Sequence, residues 1–269
     1  MMNPVTAPRS VVFVHGLWVH SDAWDPWLGL FEAAGYAPIA PAWPGEEGSV
    51  ELTRANPGAL AGRGIDEITA HYAQVIDGLP NPPVVIGHSF GGLIAQKLLA
   101  QGRAVAAVAI DPGQIKGVKP VPLAQVRAGL PILKRPRNKH RAVALTKRQF
   151  RFGFGNALSR DEADELFERW TIPGPGLPLF EASTANFKKV SPAAVDTRKA
   201  DRGPLLMIAG GKDHTVPLKV VKAAHSLYRN SPATTDLEVF PDRGHSLVFD
   251  SKWREIADYT LAWLRRQAV

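Results

Sequence analysis

Val84-Val85-Ile86-Gly87-His88-Ser89-Phe90-Gly91-Gly92-Leu93-Ile94-Ala95-Gln96-Lys97-Leu98-Leu99 is the stretch around which the other segments fall into order. Three β-branched residues after two prolines predict a short strand buried on both faces. From Leu93 onward the chain reads as a helix. Between them lies Gly87-His88-Ser89-Phe90-Gly91, a Gly-x-Ser-x-Gly turn. A strand that becomes a helix within so few residues strains the backbone at the apex, and flanking side chains would collide there. The turn lifts the Ser89 hydroxyl above the sheet and aims the positive end of the following helix at nearby negative charge. A glycine-rich turn that merely packs helix on strand is the competing reading. The strand before and the helix after favour a nucleophilic Ser89.

Similar short apolar runs recur on both sides of this stretch. Val11–Val14, Tyr36–Ala40, Ala104–Ile110, Leu205–Ala209 and Leu237–Phe240 are strand candidates, the last interrupted by Glu238. Between them Ile65, Ile68, Tyr72, Ile76 and Leu79 recur at threes and fours. So do Trp253, Ile256, Ala257, Thr260, Leu261 and Leu264 near the C-terminus. Each set makes one apolar stripe that can pack on a sheet face. Strand and helix in alternation predict an α/β fold, a mostly parallel open sheet with helices on both faces. The length of 269 residues is ample for such a core, and 45% hydrophobic with 21% charged residues is ordinary globular composition.

The alternation fails between Ile110 and Leu205. Eight prolines, from Pro120 to Pro192, cut this interval into short helices and loops. It starts just after one core strand and ends just before another, so it reads as a helical cap inserted over one end of the sheet. The domain division is therefore 1–111 with 204–269 for the core and 112–203 for the cap. The charge is divided the same way. Pro112 to Arg160 holds 12 of the 32 Lys and Arg and no acid, leaving 20 basic against 25 acidic residues elsewhere. The net charge of +7 thus belongs to one segment. Such a patch can attract anionic ligands, or it can be a solvated face.

With this serine turn between a strand and a helix, the chain resembles the α/β-hydrolase fold superfamily, in its serine-nucleophile, esterase- or lipase-like form. The resemblance covers Val11 to Asp111 and Leu205 to the end. Members carry serine, acid and histidine in that chain order. Gly210-Gly211-Lys212-Asp213-His214 looks like the family's acid loop and Arg243-Gly244-His245-Ser246 like its histidine loop. The resemblance thus implies a catalytic set of Ser89, Asp213 and His245. A serine hydroxyl needs an imidazole to take its proton, and the imidazole needs a carboxylate to fix its tautomer. Asp111, at the end of the strand after the serine turn, is the rival acid, and Asp242 is too near His245. By the same resemblance the oxyanion hole uses the N–H groups of Phe90 and Leu17, the latter in the loop His15-Gly16-Leu17-Trp18. Many members have an Asp-x-x-Gly turn after the second strand. Here Ala42 stands where that aspartate would be, and Gly45 remains.

The function expected is hydrolysis of a carboxylic ester through an acyl-enzyme. The same residues elsewhere on this fold hydrolyse thioesters, lactones or carbon–carbon bonds, perhydrolyse, or cleave cyanohydrins, and a non-catalytic receptor is a third reading. No cysteine is present, which excludes disulfides, a thiol nucleophile and cysteine-held metals. No Walker loop or dinucleotide fingerprint occurs, and His15 and His20 lack a carboxylate partner pattern, so no cofactor and no metal is expected. The partner expected is a small-molecule substrate, apolar or anionic, with no nucleic acid. Trp18, Phe150, Phe152, Phe154, Phe180 and Phe187 either line a pocket under the cap or form its core. No stretch is apolar enough to span a membrane, and Met1 to Ser10 has no long apolar run, so the expected location is the cytoplasm. Oligomeric state is not legible.

Overall fold

In the computed structural model the described residues are 8–269, so the reading of the first seven residues lies outside them. The strands are β1 (Ser10–Val14), β2 (Ala37–Ile39), β3 (Val84–His88), β4 (Ala106–Ile110), β5 (Ala142–Val143), β6 (Gly174–Pro175), β7 (Leu205–Gly210) and β8 (Thr235–Phe240). Six of them form one sheet in the order β2-β1-β3-β4-β7-β8, every neighbouring pair parallel. The sheet is open. All residues of β1, β3, β4 and β7 are buried, so both faces of the sheet centre are covered. The edge strands β2 and β8 are half-buried.

β8 starts at Thr235, ahead of the apolar run, because its parallel register with β7 runs from Leu205–Thr235 to Gly210–Phe240 whatever the side chains. Its acids are used. Asp236 accepts from Trp263 Nε1 at 2.7 Å and Glu238 from the Tyr259 hydroxyl at 2.6 Å, which ties the strand to the C-terminal helix.

The helices are α1 (Asp25–Ala33), α2 (Val50–Ala55), α3 (Ile65–Asp77), α4 (Phe90–Ala100), α5 (Leu123–Leu133), α6 (Lys147–Gly153), α7 (Arg160–Trp170), α8 (Leu177–Ser183), α9 (Leu218–Leu227) and α10 (Trp253–Arg266). The periodic stripes of α3 and α10 are their buried faces. The four helices between β4 and β7 are short, and Pro131 sits inside α5. That interval also holds β5 and β6, an antiparallel pair of two residues each that no apolar pattern announced.

Ser89 follows β3, Asp213 follows β7 and His245 follows β8. Parallel strands put all three loops at the same, C-terminal edge of the sheet.

Candidate active site

Ser89 has φ 55° and ψ −122°, a strained conformation for a residue with a side chain. Its neighbours make room. A Cβ on Gly87 would overlap the Gly91 carbonyl, and one on Gly91 would overlap the Val14 carbonyl. A Cβ on Gly16 would lie 2.6 Å from the Ser89 Cβ. Three glycines thus let the β1 loop, the β3 end and α4 meet around one hydroxyl.

That hydroxyl lies 3.0 Å from His245 Nε2, and His245 Nδ1 lies 2.6 Å from Asp213 Oδ2. All three side chains are buried. The other Asp213 oxygen accepts the Thr215 and Val216 N–H groups at 2.6 and 2.8 Å, so the carboxylate is fixed by its own loop. With Asp213 accepting at Nδ1, His245 presents Nε2 as an acceptor for the Ser89 O–H. His88 donates from Nε2 to the His245 carbonyl at 2.8 Å. Burial, and then the charge of His245, push His88 well below the usual imidazole range, so it holds this loop as a neutral ring. Arg243 pairs with buried Asp250 and, at 2.7 Å, with Glu255, bracing the loop from behind.

Asp111 sits beside this set but 3.9 Å from His245 Nδ1. Its Oδ1 accepts from Gly210 N–H at 2.7 Å. Burial, then the adjacent Asp213 charge and hydrogen bond, push Asp111 well above the usual carboxylate range. A protonated Asp111 can donate to Asp213, which gives its otherwise orphaned Oδ2 a partner. His88, Asp111 and His245 come close enough to resemble a metal-ligand cluster. Their nitrogens are engaged, however: His88 Nε2 with a carbonyl and His245 Nδ1 with Asp213.

Leu17 is buried, Phe90 is the first residue of α4, and Trp18 has φ 68°. Among the described residues neither the Leu17 nor the Phe90 N–H donates to a protein acceptor. Trp18 is clamped to the segment between β4 and β7. Its Nε1 donates to the Val143 carbonyl at 2.9 Å, and its carbonyl accepts from Ile172 N–H at 3.0 Å.

Above Ser89 lies a cavity of about 310 Å³. Its walls come chiefly from the segment between β4 and β7, with Val126, Leu130, Leu133, Leu145 and Leu179 among them. The aromatic side chains divide. Trp18, Phe154 and Phe187 line the cavity. Phe150 stacks on Phe154 in the interior, and Phe152 packs on His214. Phe180 packs against the core. Of the basic residues Lys119 lines the cavity, whereas Lys134, Arg135, Arg137, Lys139 and Arg141 are exposed and do not.

The model of the alpha/beta hydrolase family matches residues 11–259. The chain belongs to this family. A search of curated protein sequences returned no match. Among solved structures, a methylesterase from Arabidopsis superposes with a TM-score of 0.65 at 17% identity, over 96% of this chain and 99% of that one. A monoacylglycerol lipase from Paleococcus ferrophilus gives 0.65 at 22%, over 97% and 96%. A pyrethroid hydrolase from Sphingobium faniae gives 0.65 at 15%, over 96% and 97%. Likeness at these identities is likeness of fold.

Two histidines in this hydrolase correct the sequence reading. His15 and His20 do have a carboxylate partner, Glu46, at 2.9 Å from His15 Nε2 and 3.4 Å from His20 Nε2. Glu46 also accepts from Ser21 N–H at 2.9 Å. Burial by itself would raise Glu46, but the close approach of His15, with His20 and the Ser21 hydrogen bonds, brings it down to about 2. The signal was one acid beside Gly45, at the turn where Ala42 replaces the family's aspartate. Asp242 is exposed and paired with Lys212 at 2.8 Å, away from His245.

Proposed function

We propose that this hydrolase cleaves carboxylic esters through an acyl-enzyme on Ser89, with His245 as base and Asp213 as its acid. The observation that carries this is the hydrogen-bonded line Ser89–His245–Asp213, whose Ser89 end lines a mostly apolar cavity. His245 Nε2 takes the Ser89 proton as Oγ attacks the acyl carbon. Asp213 stabilises the imidazolium that forms. The tetrahedral oxyanion is held by the Phe90 and Leu17 N–H groups, each such donor being worth about 2.7–4 kcal/mol to a transition state. Collapse breaks the C–O bond, and His245 returns the proton to the leaving alcohol. Water, deprotonated by His245, then attacks the acyl carbon and releases the acid with Ser89 regenerated.

In this reading residues 112–203 are the cap and set which ester fits. The leucine and valine walls favour an apolar acyl or alcohol group. A fluorophosphonate probe should label the protein, and Ser89→Ala should abolish both labelling and turnover. An unlabelled wild-type protein, or Ser89→Ala retaining most of its esterase rate, sinks the assignment. A panel of esters, thioesters and lactones of matched chain length decides the acyl group, with esters expected to be fastest.

A further inference from the structure

Seven large apolar side chains are highly exposed among the described residues, and six lie between β4 and β7: Val121, Leu123, Val126, Leu130, Phe187 and Val190. Val121, Val126, Leu130 and Phe187 also line the cavity above Ser89. The exposed apolar surface is therefore concentrated at the mouth of that cavity. Leu123 and Phe187 are 87% and 88% exposed and Val190 is 85%, far beyond what a lone surface leucine or phenylalanine needs to explain it.

Two banks make up this rim, and they are stitched together. Lys116 Nζ donates to the carbonyls of Lys188 and Lys189, both at 2.7 Å. Asn186 accepts from Gly117 N–H and donates to the Val118 carbonyl, each at 2.7 Å. The stretch leading into Val121 and the stretch carrying Phe187 and Val190 thus form one surface. Cations edge it: Lys119, Arg127, Lys188 and Lys189 are exposed. No acid occurs from Pro112 to Arg160, Glu181 spends its carboxylate on Ile65 N–H at 2.8 Å, and Asp196, the one exposed acid within six positions of Val190, accepts from Arg198 N–H at 3.0 Å, so cations outnumber acids along this edge.

An apolar patch edged by Lys and Arg suits one kind of occupant. Apolar side chains enter the boundary between head groups and acyl chains, while the cations meet anionic head groups. A second copy of this chain would bring like charges face to face. We propose that the mouth of the cavity docks on an anionic lipid surface, Leu123, Phe187 and Val190 entering it, so that apolar substrates pass from lipid to Ser89 without crossing water. The passage of substrate rests on the esterase reading, but the docking does not.

The test is sedimentation with vesicles of phosphatidylcholine alone and with half phosphatidylglycerol, at about 0.1 and 0.5 M salt. The wild type and Ser89→Ala should bind the anionic vesicles alike, at least tenfold above neutral ones, and more weakly in high salt. Leu123→Asp with Val190→Asp, and separately Lys188→Glu with Lys189→Glu, should each lower binding at least tenfold. Both should leave the rate on a soluble short-chain ester unchanged. Neither pair lines the cavity, so a fall in that rate would mark misfolding, checked by circular dichroism, and the single substitutions Leu123→Ser and Val190→Ser would then replace it. Equal binding to both vesicle types overturns the proposal. So does anionic binding that the Leu123 and Val190 substitutions leave intact, which would be adhesion by charge alone. A dimer without lipid that Leu123→Asp dissolves would assign the surface to a second copy and overturn it too. Because Ser89→Ala is an arm of the binding assay, failure of the esterase reading and failure of docking give different results.

Discussion

At the scale of single residues, two carboxyl groups compete for one imidazole, and distance decides between them. Asp213 is 2.6 Å from His245 Nδ1 and Asp111 is 3.9 Å away. Burial and the adjacent Asp213 push Asp111 well above the usual carboxylate range, whereas Asp213 has two N–H groups and an imidazole donating to it. Asp213→Asn should therefore lower kcat by about 10⁴-fold. Asp111→Asn, which still offers a donor to Asp213, should cost less than about tenfold. The reverse order in steady-state assays would move the acid to β4. Glu46 supplies the clearest pH dependence. Its folded carboxyl lies at about 2, below the ordinary value of 4.5, so the unfolded chain binds the proton first. The stabilisation this gives drains away as pH falls from about 4.5 toward 2. Asp111 has the opposite sign, its raised value favouring the fold at low pH. Glu46→Gln should lower stability to urea at pH 7 and flatten its loss between pH 4.5 and 2. An unaltered acid limb would count against the charged Glu46. Ser89 was legible because the glycines beside it mark a strained turn, and His245 because its loop resembles the family's histidine loop. Glu46 and the placing of Asp111 were not, since they depend on contacts between loops distant in sequence.

At the scale of elements, the turn from β3 to α4 is held by atoms that touch without side chains between them. Gly91→Ala would push a methyl into the Val14 and His15 carbonyls, which are backbone and cannot swing aside. It should cost about 3 kcal/mol or more, read as a lower urea midpoint or as insoluble protein. Gly29→Ala, in α1 with open space around it, serves as the control and should be neutral or stabilising. The core strands were legible as apolar runs because strands buried on both faces leave no room for polar residues. The segment between β4 and β7 was not. Its short helices are cut up by prolines, one of them inside α5, and β5 and β6 pair over two residues each. Its aromatic side chains divide between cavity and interior for the same reason: facing is set by tertiary packing and not by spacing.

At the scale of the whole molecule, charge is segregated more sharply than the net value of +7 implies. The five cations from Lys134 to Arg141 are exposed and take no part in the cavity wall. Arg135→Glu with Arg137→Glu should therefore leave unchanged the ratio of kcat/KM for a neutral ester to that for a carboxylate-bearing one, at low and high salt. A salt-sensitive loss confined to the anionic ester would place these side chains on the substrate's approach.

The separation of the site along the chain bears on how the protein is made. Ser89 and His245 are 156 positions apart, and Trp27 Nε1 donates to the Val248 carbonyl across 221 positions. A ribosome has therefore threaded out all six sheet strands before the chain holds His245. Ser89 and His245 cannot meet until β8 and the loop after it have been made, and contacts of such long range close slowly. On dilution from denaturant, esterase activity should return after the helical and sheet signals have recovered, because those can form in part while Ser89 and His245 are still apart.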